Sequence, residues 1–168
     1  MGRKFKSRTL PDKSNLRVEI LRTVAHNHSY GMTSPYFRAL AHGKLVGTHC
    51  AACKLTFLPP RPHCPRCWQN TEWVSVSRKG KVATFAVVEY PGQGFPEDLK
   101  AVGASLPSVI IYVAMPGVDT KLMSRLEECD PADVFIGMSV EARFVENPQM
   151  NALDVYFVPS KRRQAKRT

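Results

Sequence analysis

The sequence predicts a mainly β protein: short N-terminal helices, a rubredoxin-like four-cysteine ribbon, then a five-stranded barrel. Three observations lead there. Two CxxC pairs, Cys50/Cys53 and Cys64/Cys67, stand ten residues apart. Downstream of them, five β-branched, aromatic or alternating segments follow one another with little helical periodicity between. The chain has 168 residues and a hydrophobic fraction of 43%, enough for a real core and too apolar for wholesale disorder.

Taking the chain in order, Ser14 can cap a helix on which Leu16, Ile20, Leu21 and Val24 recur at near-helical spacing. Asn27, His28, Ser29 and Gly31 should end it. A second start follows, with Ser34 as cap, Pro35 at the first helical position and Tyr36, Phe37 and Leu40 on one face; Gly43 ends it. A helix of about two turns is marginal alone in water, so it must pack on the barrel or on another subunit. Residues 47–80 are the ribbon, stiffened by Pro59, Pro60, Pro62 and Pro65. The strand candidates are Val82 to Tyr90, Ser108 to Met115, Lys121 to Leu126, Val140 to Phe144 and Ala152 to Val158. Five strands in this arrangement suit a small closed barrel, of which the five-stranded OB-fold is the commonest example. The segment Pro91 to Pro107, with Phe95 near its centre, is rich in Gly and Pro, and a loop of that length tends to be functional or disordered. The chain thus divides into a basic, partly helical extension (1–32), a short helix (33–46), the ribbon (47–80), the OB-fold (81–160) and a basic tail (161–168).

The formal charge of +10 invites a nucleic-acid reading, but its placement weakens it. Residues 1–30 and residues 161–168 each carry a net +5, which leaves twelve basic and twelve acidic side chains in 31–160. The body is neutral, and the basic ends can steer an acidic partner as well as a nucleic acid. No apolar run approaches the roughly 20 residues of a membrane helix, and Met1 to Arg8 lead into no apolar signal segment. The expectation is a soluble cytoplasmic protein without a membrane role.

In a reducing compartment, paired CxxC motifs serve as metal ligands rather than disulfides. Each pair lets one tight turn present two sulfurs, and ten intervening residues allow a short hairpin to return the second turn opposite the first. Cys50, Cys53, Cys64 and Cys67 are therefore expected to hold one structural zinc ion in a closed site with no open position for water. Iron is the alternative metal, as in rubredoxin-type electron carriers, although those knuckles usually lie farther apart. His49 and His63 adjoin ligand cysteines but are expected outside the sphere. The fifth cysteine, Cys129, reads as a buried or half-buried apolar residue. Glu127, Glu128, Asp130 and Asp133 read as a solvated turn, and no nucleophile–base constellation appears.

The order of these motifs resembles a known family. After the short helix come Cys50-Ala51-Ala52-Cys53, Phe57-Leu58-Pro59-Pro60-Arg61 and Cys64-Pro65-Arg66-Cys67. Trp73-Val74, Gly80-Lys81-Val82-Ala83-Thr84-Phe85 and Ile136-Gly137-Met138-Ser139-Val140 follow. Over about residues 33–158 this is similar to the zinc-ribbon/OB-fold acyl-CoA-associated proteins, long catalogued as a domain of unknown function. Lys54 departs from the pattern, since many members have glycine after the first knuckle. The resemblance implies a non-catalytic subunit of a thiolase-like enzyme, placed beside a thiolase-fold partner in a hetero-oligomer and helping to hold or channel acyl-CoA. Family settings include archaeal mevalonate synthesis, steroid side-chain degradation, polyketide acylation and anaerobic aromatic catabolism.

Coenzyme A offers an adenine for stacking, phosphates for cations and an arm for an apolar channel. Arg61, Arg66, Arg78, Lys79 and Lys81, the cations of the ribbon and its junction with the barrel, are the candidate contacts, weighed against plain surface charge. The rival reading is a zinc-ribbon/OB-fold nucleic-acid binder. It calls for cations interleaved with exposed strand aromatics, whereas Phe85, Tyr112 and Phe144 lie in apolar runs that suit a core.

Overall fold

A computed structural model describes residues 29–89 and 106–160. The expected helix after Ser14, Phe95 with most of its loop, and the basic C-terminal tail lie outside these residues. A single-turn 3-10 segment, Gly31–Thr33, runs directly into helix α1, Ser34–Ala41, with Pro35 in its first turn. Ser34 does not act as the cap. Because the chain already turns helically before it, its hydroxyl donates back to the Gly31 carbonyl at 2.7 Å. Gly43 (φ 65°) ends the element, as its freedom from a Cβ allows. Tyr36 and Leu40 are buried in the same cluster as the barrel interior, so this chain supplies the surface that the short helix needs.

The ribbon is a three-stranded antiparallel sheet in the order β2-β1-β3, formed by β1 (Val46–Cys50), β2 (Leu55–Phe57) and β3 (Glu72–Ser75). Cys50 pairs with Leu55, so the first knuckle is itself the hairpin turn, and the hairpin does not lie between the knuckles as the spacing suggested. Gly47 sits where a Cβ would lie 2.6 Å from the Phe57 carbonyl oxygen; only glycine admits that approach of β2.

The remaining strands close a barrel in the order β4-β5-β6-β8-β7. They are β4 (Lys79–Val88), β5 (Ser108–Ala114), β6 (Lys121–Leu126), β7 (Ser139–Phe144) and β8 (Val155–Pro159). The β6/β8 contact is parallel and the others antiparallel, which is the five-stranded Greek-key closure of an OB-fold. Val82, Ile111, Val113, Val140, Ala142 and Phe157 fill the interior with almost no exposure. Each alternates with outward residues as the two-residue strand period requires.

Two expectations change. Ala152–Asp154 form a 3-10 turn before β8, because Asn151 and Asp154 cap one another: Leu153 N–H donates to the Asn151 side chain at 2.8 Å, and Asn151 N–H to Asp154 at 3.1 Å. Tyr112 is not a core aromatic; it points outward from β5 and is 41% exposed. A continuous apolar run conceals which of its members face solvent, since both faces of the strand then read alike. Phe85 and Phe144 do pack against the core, half-buried.

Candidate metal centre

The two knuckles repeat one backbone design. Lys54 N–H donates to the Cys50 carbonyl at 2.8 Å, and Trp68 N–H to the Cys64 carbonyl at the same distance. Both residues after the CxxC pair adopt left-handed backbone, with φ 58° at Lys54 and 61° at Trp68. The four Sγ atoms lie within 4.8 Å of one another, with Cys50 and Cys64 buried and Cys53 and Cys67 half-buried. A zinc–thiolate bond of about 2.3 Å places tetrahedral sulfurs about 3.8 Å apart; Cys50 and Cys67 Sγ are 3.5 Å apart. The donor set fits one soft four-coordinate ion, and these cysteines are positioned to bind it.

Proton occupancy in the sulfur cluster is uneven. A hydrogen bond with Cys67, then burial, pushes the Cys53 thiol up to about 12. At Cys64 burial acts upward, but backbone hydrogen bonds at Arg66 and Cys67 outweigh it and bring the thiol down to about 7. At Cys67 the backbone hydrogen bond at Gln69 pulls downward, and burial with the Cys50 sulfur leaves the group raised. Four sulfurs this close cannot all be anionic without a cation among them, which is what zinc supplies when bound.

Neither histidine joins the cluster. His49 Nδ1 lies 3.1 Å from Thr56 Oγ1, and exposed His63 forms an isolated bridge with Asn70. Buried Thr48, which sequence inspection passed over, pins the Pro-rich segment between the knuckles. Its hydroxyl donates to the Arg61 carbonyl at 3.0 Å and accepts from Arg61 N–H at 2.9 Å. Asp119 and Thr120 clamp the ribbon to the barrel. The Asp119 carboxylate accepts Thr56 N–H and Thr120 Oγ1 accepts Leu58 N–H, each at 2.8 Å.

The five candidate cations are not gathered at one place. Arg61 lies over the Phe57 ring at 5.8 Å, and Arg66 is exposed on the second knuckle. Arg78 hydrogen-bonds the Gly43 carbonyl and covers Phe144 at 5.0 Å. Lys79 and Lys81 line an open groove of about 830 Å³ together with Met115, Ser139, Glu141 and Arg143. Cys129 is half-buried against the core, its thiol raised by burial and then by Asp133 and Asp130. Of the expected solvated acids, Glu127 departs: it pairs with Arg125, a buried arginine that also donates to the Leu153 carbonyl at 2.6 Å. Asp130 accepts Ala132 N–H at 2.8 Å.

A four-thiolate ribbon docked on a closed Greek-key barrel defines the class of zinc-ribbon/OB-fold proteins. Family models described as the ChsH2 rubredoxin-like zinc ribbon domain and the ChsH2 C-terminal OB-fold domain match residues 37–72 and 73–145. A DUF35 domain-containing scaffold protein of Methanocaldococcus jannaschii is 33% identical over 60% of this chain and 67% of its own length. The chain belongs to the DUF35/ChsH2 family. A protein of Thermomonospora curvata named "Probable enoyl-CoA hydratase alpha subunit" is 29% identical over 72% of this chain, a match spanning 35% of that protein. A solved chain of an Ltp2-ChsH2(DUF35) aldolase superposes with a TM-score of 0.63 and 26% identity, covering 80% of this chain and 98% of that one. A DUF35 protein of Sulfolobus solfataricus, 18% identical with a TM-score of 0.57 over 77% of this chain and 87% of that one, shares the fold.

Proposed function

We propose that this protein is a non-catalytic zinc-containing subunit of a thiolase-type acyl-CoA enzyme complex. It supports assembly with a thiolase-fold partner and the binding of acyl-CoA or coenzyme A there. The observation that carries this is the superposition of 80% of this chain on 98% of a chain solved in an Ltp2-ChsH2(DUF35) aldolase. The scaffold and hydratase-subunit names of its relatives support the same role. The site chemistry agrees, because four thiolates leave a bound ion no position for substrate, making the metal structural. Thiolate ligation also suits the reducing cytoplasm, the compartment proposed here. Among the described residues no helix is long and apolar enough to cross a membrane. Lys79 and Lys81, at the groove, are proposed phosphate contacts; Arg61, Arg66 and Arg78 are secondary candidates.

The test is co-purification from the native host, followed by a thiolase assay of the partner with and without this chain. The expected result is a stable complex whose activity or acyl-CoA affinity drops when this chain is withheld. A partnerless protein without effect on any thiolase-fold enzyme overturns the proposal.

A further inference from the structure

The ribbon has almost no core of its own apart from its ligands. Its buried cluster is Cys50, Phe57 and Cys64, packed with Cys53, Leu55 and Cys67, so four of the six members are the metal-binding cysteines. One edge of β2 pairs with β1. The other edge is closed by the barrel, through the turn between β5 and β6, residues 115–120. Thr56 N–H donates to the Asp119 carboxylate at 2.8 Å, and Asp119 N–H donates to the Thr56 carbonyl at 2.9 Å. Two residues on, Leu58 N–H donates to Thr120 Oγ1, and that hydroxyl donates to the Leu58 carbonyl, both at 2.8 Å. The barrel's turn is thus the outer neighbour of the ribbon sheet. Met115 and Pro116 of the same turn line the groove of about 830 Å³.

The four sulfurs differ in access. Cys50 and Cys64 are 0% exposed, whereas Cys53 and Cys67, one from each knuckle, are half-buried. Cys67 Sγ lies 3.5 Å from Cys50 Sγ, across the two knuckles. A small oxidant arriving at Cys67 therefore meets one sulfur with another close behind it. A tetrahedral thiolate site needs sulfurs about 3.8 Å apart, whereas a disulfide draws two of them to about 2.05 Å. The two arrangements exclude each other. Bridging Cys67 to Cys50 leaves two thiolates, too few to close a structural zinc site.

We propose that the metal centre is a redox-sensitive latch on the β5–β6 turn, opened by a hydroperoxide. The Cys67 thiolate attacks one peroxide oxygen; the O–O bond breaks, leaving a sulfenic acid on Cys67 and, with one proton taken up, water or an alcohol. The Cys50 thiolate then attacks the Cys67 sulfur. The S–O bond breaks, hydroxide leaves as water with a second proton, and the disulfide forms. Two thiolates give up two electrons, the peroxide takes them, and the zinc ion leaves with its charge unchanged. Without the ion and its cysteine cluster, β2 loses its register and the Thr56–Asp119 pair opens. Leu58 marks where the release stops, because its side chain belongs to the barrel's own cluster, which keeps the barrel closed. The β5–β6 turn, one wall of the groove, is then untethered from the ribbon, and a thiol reductant with zinc refastens it. The latch needs the thiolate site but neither an acyl-CoA ligand nor a partner enzyme.

The experiment treats the zinc-loaded full chain with hydrogen peroxide. A chromogenic chelator should register the release of one zinc ion per chain. Tryptic mapping should link the peptide of residues 45–54 to that of residues 67–78, with the bridge at Cys50; cleavage after Arg66 separates Cys67 from Cys64. Hydrogen exchange at the Asp119 amide should quicken roughly tenfold or more while Val140 keeps its rate. Dithiothreitol with zinc should reverse all three changes. Asp119→Ala cuts the latch from the barrel side without touching a ligand. Its turn amides should exchange faster before any peroxide is added and gain less from it, while zinc release matches the parent. A bridge at any other pair, or zinc retained while free glutathione is oxidised beside it, overturns the inference. So does zinc release with unchanged exchange at Asp119, or equal acceleration at Val140, which means that the whole barrel opens. If the latch fails while a thiolase-fold partner still associates, the inference alone fails. If the latch works in a chain that no partner joins, the subunit proposal alone fails.

Discussion

Lys54 and Trp68 hold the same left-handed backbone at the same position of two knuckles, where glycine would be unstrained. The departure seen at Lys54 is therefore a real conformational cost, and Lys54→Gly is expected to raise stability by about 0.5–1 kcal/mol. Thermal unfolding of the zinc-loaded protein checks this, and an unchanged or lower midpoint counts against it. The cysteines carry a larger effect. A zinc ribbon depends on metal affinity, of order 10–16 kcal/mol in comparable peptides, in place of a core. Cys64→Ala or strong chelation should unfold the ribbon; a metal-free Cys64→Ala protein with native circular dichroism and partner binding would refute that. Zinc must displace the protons that the ligand thiols carry in the metal-free, unfolded ribbon. Zinc-derived stability is thus present at higher pH and lost as pH falls. Chelator competition across pH 5.5–8.5 measures that slope, and a flat profile would contradict it.

At the scale of elements, strand approach rather than strand propensity decides the geometry. A Cβ on Gly80 would stand 2.4 Å from Val113 Cγ1 and 2.9 Å from the Ala114 carbonyl oxygen. Gly80→Ala should therefore force β4 and β5 apart and cost about 1–3 kcal/mol, readable by denaturant unfolding. The clamp between ribbon and barrel is equally specific. Thr120→Val removes the acceptor for Leu58 N–H and the donor to the Leu58 carbonyl, both at 2.8 Å. It leaves polar backbone stranded at a fully buried residue, a loss of roughly 1–3 kcal/mol. Hydrogen exchange at the Leu58 amide should accelerate in this variant more than at barrel amides such as Val140; equal acceleration would mean that the clamp is not local.

For the whole molecule, the charge distribution separates the body from its ends. The excess of +10 lies in residues 1–30 and 161–168, and residues 31–160 are neutral. Any binding of single-stranded DNA by the full chain is expected to be weak, strongly salt-dependent and abolished when both basic segments are deleted. Tight binding that survives the deletion would shift the assignment toward a nucleic-acid protein. The body joins ribbon, helix and barrel through one buried cluster, in which Leu40, Leu45 and Leu58 meet Val82 and Ile111. That continuity suits a rigid adaptor, because the ribbon cannot swing without exposing core.

The four-cysteine cluster and the five barrel strands were legible in the chain itself, because both are written in short-range spacing, whereas the three strands of the ribbon were not. Two CxxC turns announce a thiolate site at any depth of burial, and β-branched runs bounded by turn residues announce strands. Long-range order was not legible. The register that aligns Lys121 with Lys81, the outward turn of Tyr112, and the grip of Asp119 and Thr120 on β2 depend on residues tens of positions apart. Spacing along one strand says which residues share a face; only closure of the barrel says which face looks outward and what stands beside it.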